Sequence, residues 1–152
     1  MQDFYKPTFF LNLAKTILLK QNFATIAFYN VENFYSKSSD ESFLPSNFIK
    51  WKDNRYETKL NKIAFCISKI GRVETNELPF LVGLAEVEND EVLQDLTHND
   101  FLHDGNYKTL LYESLDERKI NVGLIYRQQF FEVLESEPIR FIFKDQYDTK
   151  SY

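Results

Sequence analysis

Apolar and polar positions run along the 152 residues in blocks whose period changes from block to block. "ATIAFYN" (24–30) is a short β-rich run and predicts a strand. "NRYETKLNKIAFCISKIG" (54–71) has apolar residues at Leu60, Ile63, Ala64, Ile67 and Ile70, the spacing of one helix face. Asn54 followed by Glu57 has the form of a capping box. Gly71 stands where a helix end takes a positive φ. "PFLVGLA" (79–85) is apolar without interruption, which predicts a strand buried on both faces at the centre of a layered sheet. "EVLQDL" (91–96) reads as a short helix capped by Asn89 or Asp90. Four runs follow at 107–113, 119–127, 130–135 and 139–143, and their spacing predicts an antiparallel meander. In the second of them Ile120, Val122, Leu124 and Tyr126 share a face. The polar stretches 36–48 and 97–106 read as loops. The order predicts one α/β unit over 24–152, preceded by an amphipathic extension over 1–23.

Composition narrows the class. Hydrophobic residues make up 43% and charged residues 27%, as expected of a soluble globular chain. Fifteen Phe and nine Tyr against four Gly and four Pro predict a core filled largely by rings. Cys66 is alone, so an internal disulfide and a cysteine zinc site are excluded, and it is expected as a small buried hydrophobe on the helix. No apolar run approaches the ~20 residues of a membrane span. The stretch 8–19 is broken by Asn12 and Lys15 and lacks a leader's charge and cleavage pattern, so a cytoplasmic location is expected. The net charge of -5 gives no general attraction to phosphate backbones. A phosphate-ester substrate would need a bound cation or a local basic patch.

The candidate chemistry stands at two strand ends. In a layered α/β protein, ligands bind outside the carboxyl ends of the central strands. "IAFYNVENFY" places Asn30 and Glu32 at the end of the first strand. "PFLVGLAEVEND" places Glu86 first after the apolar run. One amide and two carboxylates are hard oxygen ligands. They suit Mg²⁺ or Mn²⁺, which take one or two carboxylates and keep waters for a substrate phosphate. Glu88 reads as exposed and pointing away from that site, and Asp90 as solvated or a helix cap.

"IAFYNVENFY", "VGLAEVEN" and "YESLDERKINVGLIYR" (112–127), in this order and at this spacing, resemble motifs of the endonuclease/exonuclease/phosphatase family, whose members include DNase I-like and exonuclease III-like enzymes. The resemblance implies part of a four-layer α/β/β/α sandwich and metal-dependent hydrolysis of phosphate esters, with phosphodiester (nuclease-like) cleavage foremost. It implies that Glu86 holds the catalytic Mg²⁺ (or Mn²⁺), that Asn30 lies beside metal and phosphate, that Glu32 assists the metal through water, and that Arg118 binds or orients a phosphate, with Asp116 nearby. Nucleic acid is one possible substrate class among several.

There are departures. Ala85 stands where many members have Gln, and Lys119 and Asn121 replace a Gly and an Asp. Trp51, between Lys50 and Lys52, is expected to pack more than to touch substrate. The family's late Asp-His pair and middle Asp-x-Asn pair are missing. His98 and His103, both in one polar loop, read as solvated. The chain is therefore expected to be an N-terminal half that is inactive alone. Two other readings are a non-catalytic binding domain on the same scaffold and another α/β metal-binding fold of the Toprim-like kind.

Overall fold

The computed structural model describes residues 23–40, 42, 44 and 53–139, with the backbone of 142–144 and 149–151. The segment 8–19 and Trp51 lie outside the described residues.

In chain order the elements are β1 (Ile26–Phe34), α1 (Asp53–Lys69), α2 (Arg72–Thr75), β2 (Leu81–Val87), α3 (Asp90–His98), β3 (Tyr107–Tyr112), β4 (Asn121–Arg127), β5 (Ile142–Lys144) and β6 (Thr149–Ser151). β1 and β2 pair in parallel, with Ile26 opposite Leu81 and Asn30 opposite Ala85. A parallel pair requires a crossover, and the helical segment between them supplies it. β4 pairs antiparallel with β2, β3 pairs antiparallel with β4, and the order is β1-β2-β4-β3. The fold is mixed α/β, a four-stranded sheet flanked by helices, as expected for a DNase I-like domain.

The uninterrupted apolar run at 79–85 does form an interior strand. The late meander is only half right. β3 and β4 pair, but residues 130–135 form no strand; Phe130 and Phe131 turn back on Arg127 through backbone bonds. The Phe130 ring stacks on Phe80 at 4.3 Å, so the aromatic run is used for packing. The last expected strand is Ile142–Lys144, and it pairs with β6 in a separate two-stranded sheet.

One face of the main sheet carries the core. Leu60, Ile63, Ala64 and Ile67 of α1 and Val92, Leu93 and Leu96 of α3 pack with Val82, Leu84 and Ile125. Gly123 lets α3 approach: a Cβ there would meet Leu93 Cδ1 at 2.7 Å. Asn121, Gly123 and Ile125 of β4 are buried on the face toward the helices; on the opposite face Val122 is 60% exposed, while Ile120 and Tyr126 are also buried. Cys66 is also corrected. It lies exposed on the flank of the α1 stripe, within hydrogen-bond reach of Tyr29. α1 begins at Asp53, so Asn54 lies inside it, and Glu57 pairs with Lys37 instead of closing a capping box. Gly71 does hold a left-handed φ of 66°, and a Cβ on it would lie 2.0 Å from Thr25 Oγ1. Asn89, not Asp90, caps α3, its side-chain oxygen accepting from Val92 N at 3.1 Å. Among the described residues no helix is long and apolar enough to cross a membrane.

Candidate functional site

Regular alternation along β2 would send Val82, Leu84 and Glu86 to the helix-covered face. The strand avoids that with a bulge. Ala85 pairs with Val122 and Val87 with Asn121, so Glu86 is one residue in excess. Its φ of 67° is left-handed. Val87 then takes the core position, fully buried, and Glu86 is released to the rim. β1 bulges on the same rung. Asn30 pairs with Ala85 and Phe34 with Val87, and Glu32 and Asn33 between them hold φ of 55° and 57°. The two bulges face each other across the parallel pair.

Hydrogen bonds join them. Asn30 Nδ2 donates to Glu86 Oε1 at 3.2 Å, and the Asn33 backbone N–H donates to Glu86 Oε2 at 2.9 Å. Asn30 Oδ1 in turn accepts from the Glu32 backbone N–H at 2.8 Å. Glu32 thus joins the site through its main chain, and its carboxylate lies in the field of Lys59 and Tyr29. Lys59 reaches over from α1 to the carbonyls of Glu32 and Asn33. Burial pushes its ammonium below the ordinary lysine range, and Glu32 and Glu86 pull it back up.

Arg118 lies in the turn before β4. Its Nε and Nη2 grip Asp116 at 3.1 and 2.8 Å, a bidentate pair that holds the Asp116 carboxyl below its usual range. The guanidinium is exposed and faces Glu86 and Tyr35 electrostatically. Tyr35 is fully buried. Burial pushes its phenol up, Arg118 pulls it down, and Glu88, Asp116 and Glu86 add to the rise. Asn30, Glu86 and Arg118 are therefore gathered at one rim, with Tyr35 beneath them.

Glu88 corrects an expectation. It is only 9% exposed, because the loop after β1 folds over its carboxylate. Its carboxylate accepts from the Ser36 backbone N–H and the Ser39 hydroxyl, tying down the loop after β1. Asn121, where the family has Asp, bridges two strands' ends: its oxygen accepts from Ser114 N at 2.7 Å and its amide donates to Glu88 O. A carboxylate is unable to donate to that carbonyl, so the change is matched to its place. His98 and His103 are exposed and lie at the opposite end of the sheet, His98 at the end of α3 and His103 in a short 3-10 turn before β3. Clefts of about 420 and 490 Å³ lie at that far end too, lined by Arg72, Glu77 and Arg127 in one case and by Tyr126, Phe130 and Phe131 in the other.

The donor set suits a divalent cation held by few protein ligands. Among the described residues no group of three His, Cys, Asp or Glu is placed to form an all-protein metal cage. Glu86 offers two hard oxygens, each accepting a single recorded hydrogen bond and keeping further lone pairs. Mg²⁺ commonly binds through one or two carboxylates and retains its waters.

Tyr35, Asn33, Lys59 and Glu88 were not singled out as site residues by the sequence pattern. Only Asn33 carried a readable signal, because Asn tolerates left-handed backbone. A family model described as Endonuclease/Exonuclease/phosphatase family matches residues 25–151. No curated protein and no solved structure matches the chain significantly.

Proposed function

Because the chain belongs to the endonuclease/exonuclease/phosphatase family, whose members hydrolyse phosphate esters and typically use divalent metals, we propose that it carries the metal-binding part of a Mg²⁺-dependent phosphodiesterase of nuclease-like type. The observation that supports this reading most is the paired bulge. It takes Glu86 out of the core pattern and turns its carboxylate toward Asn30 and the Asn33 amide.

Each residue then has a task. Glu86 holds the cation, with Mn²⁺ an acceptable substitute. A bound divalent cation supplies positive charge to the phosphoryl oxygen and to the leaving oxygen. Asn30 fixes the Glu86 carboxylate through its amide and stands beside the phosphate. Its oxygen is turned to the Glu32 N–H, so it serves the metal by orienting Glu86. Glu32 orders metal-bound water. Arg118, preset by its fork on Asp116, receives the phosphate oxygens. With Arg118 paired to Asp116, the cation on Glu86 is what offsets locally a chain of net charge -5 toward a phosphate.

The test is Glu86→Gln, which keeps the side chain's shape and removes its charge. By titration calorimetry the variant is expected to lose Mg²⁺ binding with little change in melting temperature. In the natural gene product, hydrolysis of a phosphodiester in Mg²⁺ is expected to fall by about 10²–10³-fold, the usual scale for one lost electrostatic group. Equal Mg²⁺ affinity before and after the change would refute the ligand role.

A further inference from the structure

Two consecutive left-handed residues behave as a single reversed helical turn. Their carbonyls point one way and their N–H groups the other, so the turn has a positive and a negative pole. Glu32 and Asn33, at φ 55° and 57°, form such a turn. At the N–H pole, Glu32 N donates to Asn30 Oδ1 and Asn33 N to Glu86 Oε2. At the carbonyl pole, Lys59 Nζ donates to Glu32 O and, at 3.4 Å, to Asn33 O. The same ammonium lies 6.0 Å from the centroid of the Phe34 ring, the next residue of the strand. One half-buried cation from α1 therefore faces the chain from Glu32 to Phe34.

We infer that Lys59 is a positioning residue of the site: by holding the carbonyls of Glu32 and Asn33 it keeps the opposite N–H groups aimed at the Asn30–Glu86 pair. The inference rests on the reading of Glu86 as the metal carboxylate. Lys59 touches neither metal nor substrate. It acts through the turn, as groups behind a ligand commonly do, and removal of such groups typically lowers metal affinity about 10–100-fold. The left-handed turn is the reason a cation is needed there. Left-handed backbone is costly for a residue with a Cβ, so without an anchor the chain relaxes to ordinary strand geometry and withdraws the Asn33 amide.

The experiment compares Lys59→Met, which keeps the apolar stem, with Lys59→Arg and with Lys62→Met, an exposed lysine on the same helix. Two readouts are taken on the full chain: hydrogen exchange of the Asn33 amide by NMR without metal, and Mg²⁺ affinity by calorimetry. Lys59→Met is expected to speed Asn33 exchange at least about tenfold and to weaken Mg²⁺ about tenfold or more. Lys59→Arg is expected to restore most of both, and Lys62→Met to change neither. Unaltered Asn33 exchange in Lys59→Met would overturn the inference. If Lys59→Met does not fold, the ammonium of the unsubstituted chain decides. A slowly exchanging Lys59 resonance supports the anchor, and one exchanging as fast as that of Lys62 overturns it. A chain that binds no Mg²⁺ at all would defeat the metal reading of Glu86, and Asn33 exchange would still decide the role of Lys59.

Discussion

Glu32, Asn33 and Glu86 hold left-handed backbone that a side chain ordinarily avoids, and all three stand at one rung of one strand pair. Such strain persists only where the surroundings over-determine it, and it gathers at functional sites. Lys119 is the fourth case near the rim, with φ of 58° and its N–H bonded to Asp116 O at 3.0 Å. It occupies the place of a family glycine, and its backbone shows why glycine suits that place. Lys119→Gly is expected to stabilise the chain by about 0.5–1 kcal/mol, the left-handed penalty less the extra entropy of glycine. Urea denaturation measures it, and a loss of stability would show that the Lys119 side chain contributes a contact exceeding the strain. The identities of Asn30, Glu86 and Arg118 as candidate residues were legible in their motifs. The bulges that aim them were not. Glu has no preference for left-handed backbone, so nothing in "AEVEN" marks Glu86 as the excess residue, and Glu88 is buried by a loop whose bonds to it leave no local signal.

At the scale of elements, the parallel pair and its helical crossover were legible because their periods are clean: an uninterrupted apolar run for β2 and a 3.6-residue stripe for α1. The region after β4 was not. Phe130 and Phe131 have high strand propensity, but Phe80 and the Arg127 guanidinium, 4.8 Å from the Phe130 centroid, draw that ring into a stack. Helix α1 is tied to α3 by the Tyr56 hydroxyl, which donates to Asp95 Oδ2 at 2.6 Å. Burial, then Asp95, pushes the Tyr56 phenol well above its ordinary value of 10.0. Tyr107 is raised as well, by burial. Above about pH 10 the unfolded chain loses these phenolic protons while the folded chain keeps them, so this contribution to stability is complete below that pH and is lost as pH rises. Tyr56→Phe is therefore expected to cost about 1.5–3 kcal/mol at pH 7, the range for a hydrogen bond to a charged group, and to flatten the decline above pH 10. Urea midpoints across that range check it; an unchanged alkaline decline would exclude Tyr56 as a source.

Taken whole, the described molecule has two unlike faces and one chemically loaded rim. The helices cover one side of the sheet. On the other, Ile26 is 68% and Phe28 70% exposed beside Val122, an apolar surface of the kind that marks contact in a larger assembly or an aggregation hazard. The rim between these faces carries the paired bulges, Arg118 and Asp116. There Glu86 is the carboxylate that the fold exposes by breaking its own alternation, and it is there that a cation is expected to bind. The most direct measurement adds substoichiometric Mn²⁺ to the isotopically labelled chain and follows paramagnetic broadening of its amide signals. Broadening is expected to centre on residues 30–34 and 85–87, to extend to Arg118, and to vanish in Glu86→Gln. Broadening centred instead on the far end of the sheet, around Asp100 and Asp104, or broadening that survives Glu86→Gln unchanged, would contradict cation binding at Glu86.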